Sequence, residues 1–272
     1  MRSRGPISLF SAIIVGLLLN TGASAQVANV SRTSFVASGS NLDFTPAVGV
    51  ANLAPEVALA TYERGLKDQT AALAGYTATS VIDAELPQSA QKAEFELKRR
   101  YVSPSVLEFT PIRSSGDKFV RNNVIVRLLE SEVEHVRRRE QGQTAIDSSN
   151  YKFSYKGSAR VNGAAVHVFE VKPRQKRVGL FKGKIYVDAT SARLVRAEGR
   201  IVKSPSIFIK KIDFVQDYAT VDGFTLLSHI HSEAETRLIG KTVVDISQRD
   251  YQPQLATAGK TSVDTVAIDG SN

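Results

Sequence analysis

The stretch from Tyr151 to Lys172 reads YKFSYKGSARVNGAAVHVFEVK. It consists of two runs of strand-forming residues, Tyr151 to Arg160 and Ala165 to Lys172, joined through Asn162-Gly163. An Asn-Gly pair accepts the positive φ angles of a tight two-residue turn, so the stretch predicts an antiparallel hairpin. The pattern returns downstream, where Asp222-Gly223 joins Phe208 to Tyr218 with Phe224 to Ser232. Further reversals are expected from Asp188 to Ala192, at Ser204-Pro205-Ser206 and at Ile239-Gly240-Lys241. Consecutive strands with short turns make an antiparallel meander. Several runs approach ten residues, longer than the usual five or six, and long twisted sheets curl.

A curled sheet needs something in its hollow, and two helical patterns upstream can supply it. In the first, Asn52 and Pro55 offer a cap and a first-turn proline, and Leu59, Tyr62 and Leu66 share a face. The second begins near Asp117 and carries the stripe Ile125, Leu128, Leu129, Val133 and Val136. Glu134 precedes Arg138 by one helical turn, and Arg137, Arg138 and Arg139 suit the negative end of the helix dipole. Between these helices Phe95, Leu97 and Tyr101 alternate with Glu94, Glu96, Lys98 and Arg100, a strand wet on one side. Arg99 interrupts its apolar side. The expected fold class is α+β: a strongly curved antiparallel sheet, an incomplete barrel built as a meander, with helices packed in or over its concave face.

The ends of the chain read differently. Arg2 and Arg4, the apolar run Ile7 to Leu19 and Ala23-Ser24-Ala25 form the three zones of a secretory signal peptide, with cleavage expected before Gln26. The expected organisation is thus a signal peptide over 1–25, a flexible leader over 26–53, one domain over 54–252 and a flexible tail over 253–272. Localisation is expected to be periplasmic or otherwise exported, as a soluble protein. Cysteine is absent from the sequence, which excludes disulfides, thiolate metal sites, a cysteine nucleophile and a lipid-modified cysteine anchor. The net charge of +8 becomes +6 once Arg2 and Arg4 are removed. A basic exported protein meets anionic headgroups more readily than nucleic acid.

Catalytic signatures are weak. His229, His231, Glu233 and Glu235 share one face of a strand, as metal ligands could, but Phe224, Leu226 and Ile230 occupy the opposite, core-facing side. The histidines are therefore expected on a solvated surface, without a metal. Ser158 lacks the glycine elbow of a hydrolase, and Gly179, Gly183 and Gly199 do not form a nucleotide loop. Asp213 and Asp217 read as surface carboxylates. An enzyme and a cofactor are not expected. The basic cluster Lys172, Arg174, Lys176, Arg177, Lys182 and Lys184 has two readings. One is a solvated hairpin end; the other is a loop that meets an anionic membrane surface or acidic partner, with Leu180 and Phe181 touching acyl chains.

From Tyr151 to Tyr251 the chain resembles the outer membrane lipoprotein-sorting and lipoprotein-carrier superfamily of bacterial envelopes. The resemblance is carried by VHVFEVKP (Val166 to Pro173), GKIYVD (Gly183 to Asp188), RLV (Arg193 to Val195) and Asp222-Gly223-Phe224. It implies an incomplete barrel whose hydrophobic cavity is closed by helices and, in carrier members, receives acyl chains. It also implies a functional arginine near the cavity, for which Arg99, facing with Phe95 and Leu97, is the conjectured position. The expected function is binding or carriage of a lipid or lipoprotein acyl chain, with Ile125, Leu129, Val133, Ile185, Val187, Phe224, Leu226 and Ile230 lining the cavity. The alternative is a non-catalytic envelope interaction or structural protein whose cavity is filled by its own helices.

Overall fold

The computed structural model describes residues 52–237 and 239–256. The expected signal peptide, nearly all of the expected leader and most of the expected tail lie outside these residues. Ten strands form a single sheet: β1 (Leu73–Leu86), β2 (Gln91–Val102), β3 (Val106–Gly116), β4 (Tyr151–Val161), β5 (Ala164–Pro173), β6 (Phe181–Asp188), β7 (Leu194–Ile201), β8 (Ile209–Val221), β9 (Phe224–Thr236) and β10 (Lys241–Leu255). Their spatial order is β3-β2-β1-β10-β9-β8-β7-β6-β5-β4, with every neighbour antiparallel. The expected meander spans β4 to β10. Strand β10 then pairs back to β1, adding the first three strands on the far side, and it continues through Pro253 to Leu255, past the expected edge of the domain.

The two hairpins that decide the fold form as read. Val161 pairs with Ala164 across Asn162 (φ 50°) and Gly163 (φ 82°), and Val221 with Phe224 across Asp222 (φ 48°) and Gly223 (φ 82°). Both central residues have positive φ, which is what a twist-matched two-residue turn requires. The sheet stays open, with β3 and β4 as its edges. Each edge pairing carries a register shift, at Glu96/Leu97 opposite β3 and at Tyr155/Gly157 in β4, and β3 contains Pro111; such features bend a strand and discourage pairing with another chain.

Helix α1 (Pro55–Ala72) precedes β1. Pro55 takes its first turn as expected, but the N-cap is Ala54 and contributes no side-chain bond, so Asn52 is not the cap. Between β3 and β4, α2 (Lys118–Val120) runs through a π-helical turn (Arg121–Val126) into α3 (Arg127–Arg137), and α4 (Gln141–Thr144) follows. Asp117 caps this run by accepting a hydrogen bond from the Val120 amide at 2.9 Å. Arg137 and Arg138 both bond Glu134, and Arg139 ends the run in the left-handed region (φ 58°).

The buried stripe of the α2–α3 run, Val120, Val124, Ile125, Leu128, Leu129 and Val136, lies in the same apolar cluster as the inner faces of the strands. These helices thus fill the hollow of the sheet. Outer-face positions line up in register across β2, β1, β10 and β9 as Glu94, Asp83, Asp245 and His231. A second, small apolar cluster of Ala159, Val161, Val166, Val168 and Tyr186 gathers outside the main core.

Candidate functional site

At one end of the sheet, α1 crosses the turns that join β6 to β7 and β8 to β9. Beneath it lies a cavity of about 430 Å³, with walls formed by Tyr62, Leu66, Ile146, Leu194, Tyr218 and Phe224. Its size and apolar lining match small-ligand sites, which run to about 300–1,000 Å³ with a few placed polar groups. Ala58 and Tyr62 are the buried side chains of α1, with Leu59 and Ala72 packed against the core, and polar tethers add to this packing. The Tyr62 hydroxyl donates to the Ile146 carbonyl at 2.9 Å. The Gln69 amide both donates to the Thr225 carbonyl at 3.0 Å and accepts from the Thr225 amide at 2.7 Å, completing a strand-like pair at the start of β9. The Ser148 amide donates to Glu63 at 2.6 Å.

Gly65, in the middle of α1, lines the cavity, and a Cβ placed on it would meet no atom within 4 Å. Glycine inside a helix costs about 1 kcal/mol relative to alanine. Gly65 is itself exposed, so it stands at the open rim of the cavity. The Tyr62 phenol is pushed well above its ordinary pKa, chiefly by burial and then by Tyr218, Asp147 and Glu63. Tyr218 is raised by burial and then by Tyr151 and Asp217. Both phenols therefore stay protonated and neutral in the walls of the cavity.

A second constellation joins sheet and helix in the interior. Arg99 on β2 and Glu132 on α3 are each 4% exposed. The Arg99 guanidinium makes a bidentate pair with Glu132, Nη1 to Oε2 at 3.2 Å and Nη2 to Oε1, while its Nε donates to the Tyr76 hydroxyl at 3.0 Å. It also lies 5.3 Å from the centre of the Phe109 ring. One side chain thus ties β1, β2 and β3 to the filling helix. The sequence marks Arg99 as an exception on an apolar strand face. The matching signal for Glu132 is a carboxylate on the same helical stripe as Leu128 and Val136, one turn from each.

The residues expected to line the cavity are brought together, but mainly as packed core. Ile125, Ile185, Val187, Leu226 and Ile230 are fully buried, Leu129 and Phe224 nearly so, and Val133 packs against the same cluster. Phe224 also borders the cavity under α1; the others are not among its lining residues. The sequence reading placed Tyr62 and Leu66 on one face of α1, but it did not bring that face to the turns at 191–194 and 222–225. That meeting is a tertiary event without a local signature.

The basic cluster is divided. Lys172 pairs with Glu170 at 3.0 Å, Arg174 Nε donates to the Ser148 carbonyl at 2.7 Å, and Arg177 donates to Asn150 at 2.8 Å. Lys156 and Lys172 together lower the Glu170 pKa to about 2. Lys176, Lys182 and Lys184 stand exposed around a shallow outer groove. The expectation that Leu180 and Phe181 touch acyl chains does not hold: both are core residues, and the Phe181 ring packs edge-on against Phe214 at 5.0 Å. Of the other polar residues singled out in the sequence, Asp213 pairs with Arg200 and Asp217 with Arg196, both bidentate, and the Ser158 hydroxyl meets that of Tyr155.

His229 and His231 lie on the half-exposed outer face and both approach Asp245, at 3.5 and 2.9 Å, while Glu233 pairs with Lys241 at 2.8 Å. Replacing both histidines with alanine is expected to change the unfolding free energy by less than about 1 kcal/mol, as for other exposed ion pairs. Urea denaturation measures this, and a substantially larger loss would mean that the outer face contributes to the fold in a way its exposure conceals.

The fold and cavity define a class: an open antiparallel half-barrel, its hollow filled by a helix, with an apolar pocket at one end under a second helix. Residues 146–245 match the model of a family of unknown function (DUF5686). None of the curated proteins matches the chain in sequence. Among solved structures, the chain is similar to a putative outer membrane lipoprotein-sorting protein domain from Vibrio parahaemolyticus, at 14% identity and a TM-score of 0.41 over 76% of this chain and 95% of that one. It is also similar to a DUF1329 family protein from Desulfovibrio piger (11%, 0.39, 73% and 92%) and to a LolA superfamily protein from Nitrosomonas europaea (11%, 0.37, 74% and 94%).

Proposed function

We propose that this chain is an exported binding or carrier protein that holds the apolar chain of a lipid or lipoprotein in the cavity under α1. The observation that carries the reading is the largely apolar cavity under α1, a helix whose fully buried side chains are Ala58 and Tyr62. In this reading α1 is the moving part: the Tyr62 and Gln69 tethers can open and re-form, while the α2–α3 run, held to the sheet by Arg99 and Glu132, stays fixed. The domain over 54–252 would do this work after removal of 1–25. No reaction is assigned to it. An anionic membrane surface would be met through the Lys172, Arg174, Lys176 and Arg177 region, with Lys176 contributing most because the other three bond within the protein.

A second reading, an interaction or structural protein with a self-filled interior, is favoured by the full burial of Val120, Val124 and Ile125 against the sheet. A substitution at Gly65 separates the two. Gly65→Phe adds a ring at the rim of the cavity, where no atom lies within 4 Å of the new Cβ, and is expected to abolish fluorescence enhancement of the neutral apolar probe N-phenylnaphthylamine while the thermal transition is kept. Gly65→Ala is expected to bind the probe and to gain about 1 kcal/mol of stability. If the parent does not bind, or if folded Gly65→Phe binds like the parent, the carrier reading fails and the self-filled one stands.

A further inference from the structure

The outer face of the sheet is wet over most of its extent. Lys182, Lys184 and Arg200 are exposed there, and His229 and His231 half-exposed. One patch on β4, β5 and β6 departs from this: Val166 is 0% exposed, Tyr186 1%, and Ala159, Val161 and Val168 4% each. Alternation along β5 turns Val166 and Val168 away from Phe169 and Val171, which belong to the main core, so that core does not bury the patch. The buried apolar side chains of α1 and of the α2–α3 run all lie in the main core as well. Val195, the one further side chain packed on the patch, stands on β7, so among the described residues the patch has no apolar partner from outside the sheet. An apolar sheet face is ordinarily buried by a second layer.

The described chain begins beside this patch. The Leu53 amide donates to the Ala189 carbonyl at 2.8 Å, and the Leu53 carbonyl accepts from His167 Nε2 at 2.8 Å. The Ala189 amide in turn donates to the carbonyl of Ala165, the neighbour of Val166. The sequence that leads to this point, LDFTPAVGVA from Leu42 to Ala51, sets Leu42 and Phe44 two residues apart, and Val48 and Val50 likewise. Ten extended residues reach about 33 Å, whereas four adjacent strands are only about 14 Å across. Pro46 lacks an amide, which suits a segment laid over a sheet better than one paired within it.

We propose that residues 42–51 dock on the outer face of β4 to β7, with Leu42, Phe44, Val48 and Val50 covering Val161, Val166, Val168 and Tyr186. The end of the expected leader is then a layer of the domain. It also fixes where α1 starts, since Pro55 follows Leu53 by two residues, and movement of that helix would pivot at its first turn. The inference stands independently of the carrier reading.

The test uses the full chain from Gln26, whose lack of cysteine gives a clean background for single-thiol reporters. Ala159→Cys and Val161→Cys report on the patch, Ser158→Cys on an exposed site of the same strand, and Ala197→Cys on the main core. Both patch thiols are expected to react with Ellman's reagent about tenfold more slowly than the Ser158→Cys thiol, as protection by a locally opening segment requires. Adding Leu42→Asp, Phe44→Asp and Val48→Asp should remove that protection while the Ala197→Cys thiol stays unreactive. Adding Val263→Asp and Val266→Asp in the tail should leave the patch protected. The proposal is overturned if the patch thiols react as fast as the exposed one, or if their protection survives the leader substitutions. It is overturned equally if the tail substitutions release the patch, which would make the tail the occupant, or if protection rises with protein concentration, which would make it a second copy. Loss of protection at Ala197→Cys together with the patch would also overturn it, because the sheet would then have unfolded as a whole instead of shedding a layer.

Discussion

Glu132→Ala is expected to lower the unfolding free energy by about 3–5 kcal/mol, the range found when one partner of a buried ion pair is removed. Arg99 would keep the Tyr76 hydroxyl and the Phe109 ring, but neither carries charge, and at 4% exposure water cannot replace the lost carboxylate. The cost is that of an uncompensated buried cation, not the intrinsic worth of the pair. For that reason the double replacement Arg99→Met, Glu132→Leu is expected to recover to within about 1 kcal/mol of the parent or to exceed it. By contrast, breaking the exposed Arg100–Glu108 pair, 2.7 Å apart, should cost at most about 1 kcal/mol. Urea denaturation of the variants decides the matter. A loss of less than about 1 kcal/mol in Glu132→Ala would show that the interior relaxes to admit water, and the pair could not then serve as the fixed joint between sheet and helix.

The parts of this fold that are legible in the sequence are those with local causes. Asn162-Gly163 and Asp222-Gly223 set their turns because few other residues accept φ near 50° followed by φ near 82°. Alternation predicts Phe224, Leu226 and Ile230 inside and the histidines outside, and the three are buried and the histidines half-exposed. The alternation is nonetheless interrupted by a register shift at Ser228, and Leu227, which it puts on the histidine face, is buried in the core. The closure of β10 on β1 has no such local cause. It brings Leu255 to Leu73 across most of the described chain, and the alternation in either strand would suit several partners. The π-helical turn over Arg121–Val126 is illegible for the same reason, since it is the sheet that needs Val124 and Ile125 side by side. Leu180 and Phe181 mislead through their neighbours: lysines and arginines surround them in sequence, while in space the two apolar side chains turn inward. The lining of the cavity draws on a helix and two separate turns, so each piece could be read and their meeting could not.

Glycines in the sheet were equally opaque, and the second large effect is expected at one of them. Gly183→Val should destabilise the protein by about 3 kcal/mol, at the upper end of the range for overpacking. Gly183 on β6 lies directly opposite Gly199 on β7, and a Cβ on Gly183 would sit 1.9 Å from the Glu198 carbonyl oxygen and 2.6 Å from the Gly199 Cα. Those are backbone atoms and cannot swing aside as a flexible side chain would. Space on the partner strand is also taken, because a Cβ on Gly199 would meet the Phe181 ring at 2.8 Å. Relief therefore requires β6 and β7 to separate, and with them the packing of fully buried Ile185 and Ala197, one cross-strand pair of this ladder, and of Phe181 against Phe214. The sign should be opposite to that of Gly65→Ala, where the added methyl meets open space and helix propensity alone acts. Thermal and urea unfolding of the two variants side by side provides the check. If Gly183→Val melted within a degree or two of the parent, β6 and β7 would have to run farther apart than the paired glycines require, and the inner face at Phe181 would have to be looser than its burial implies.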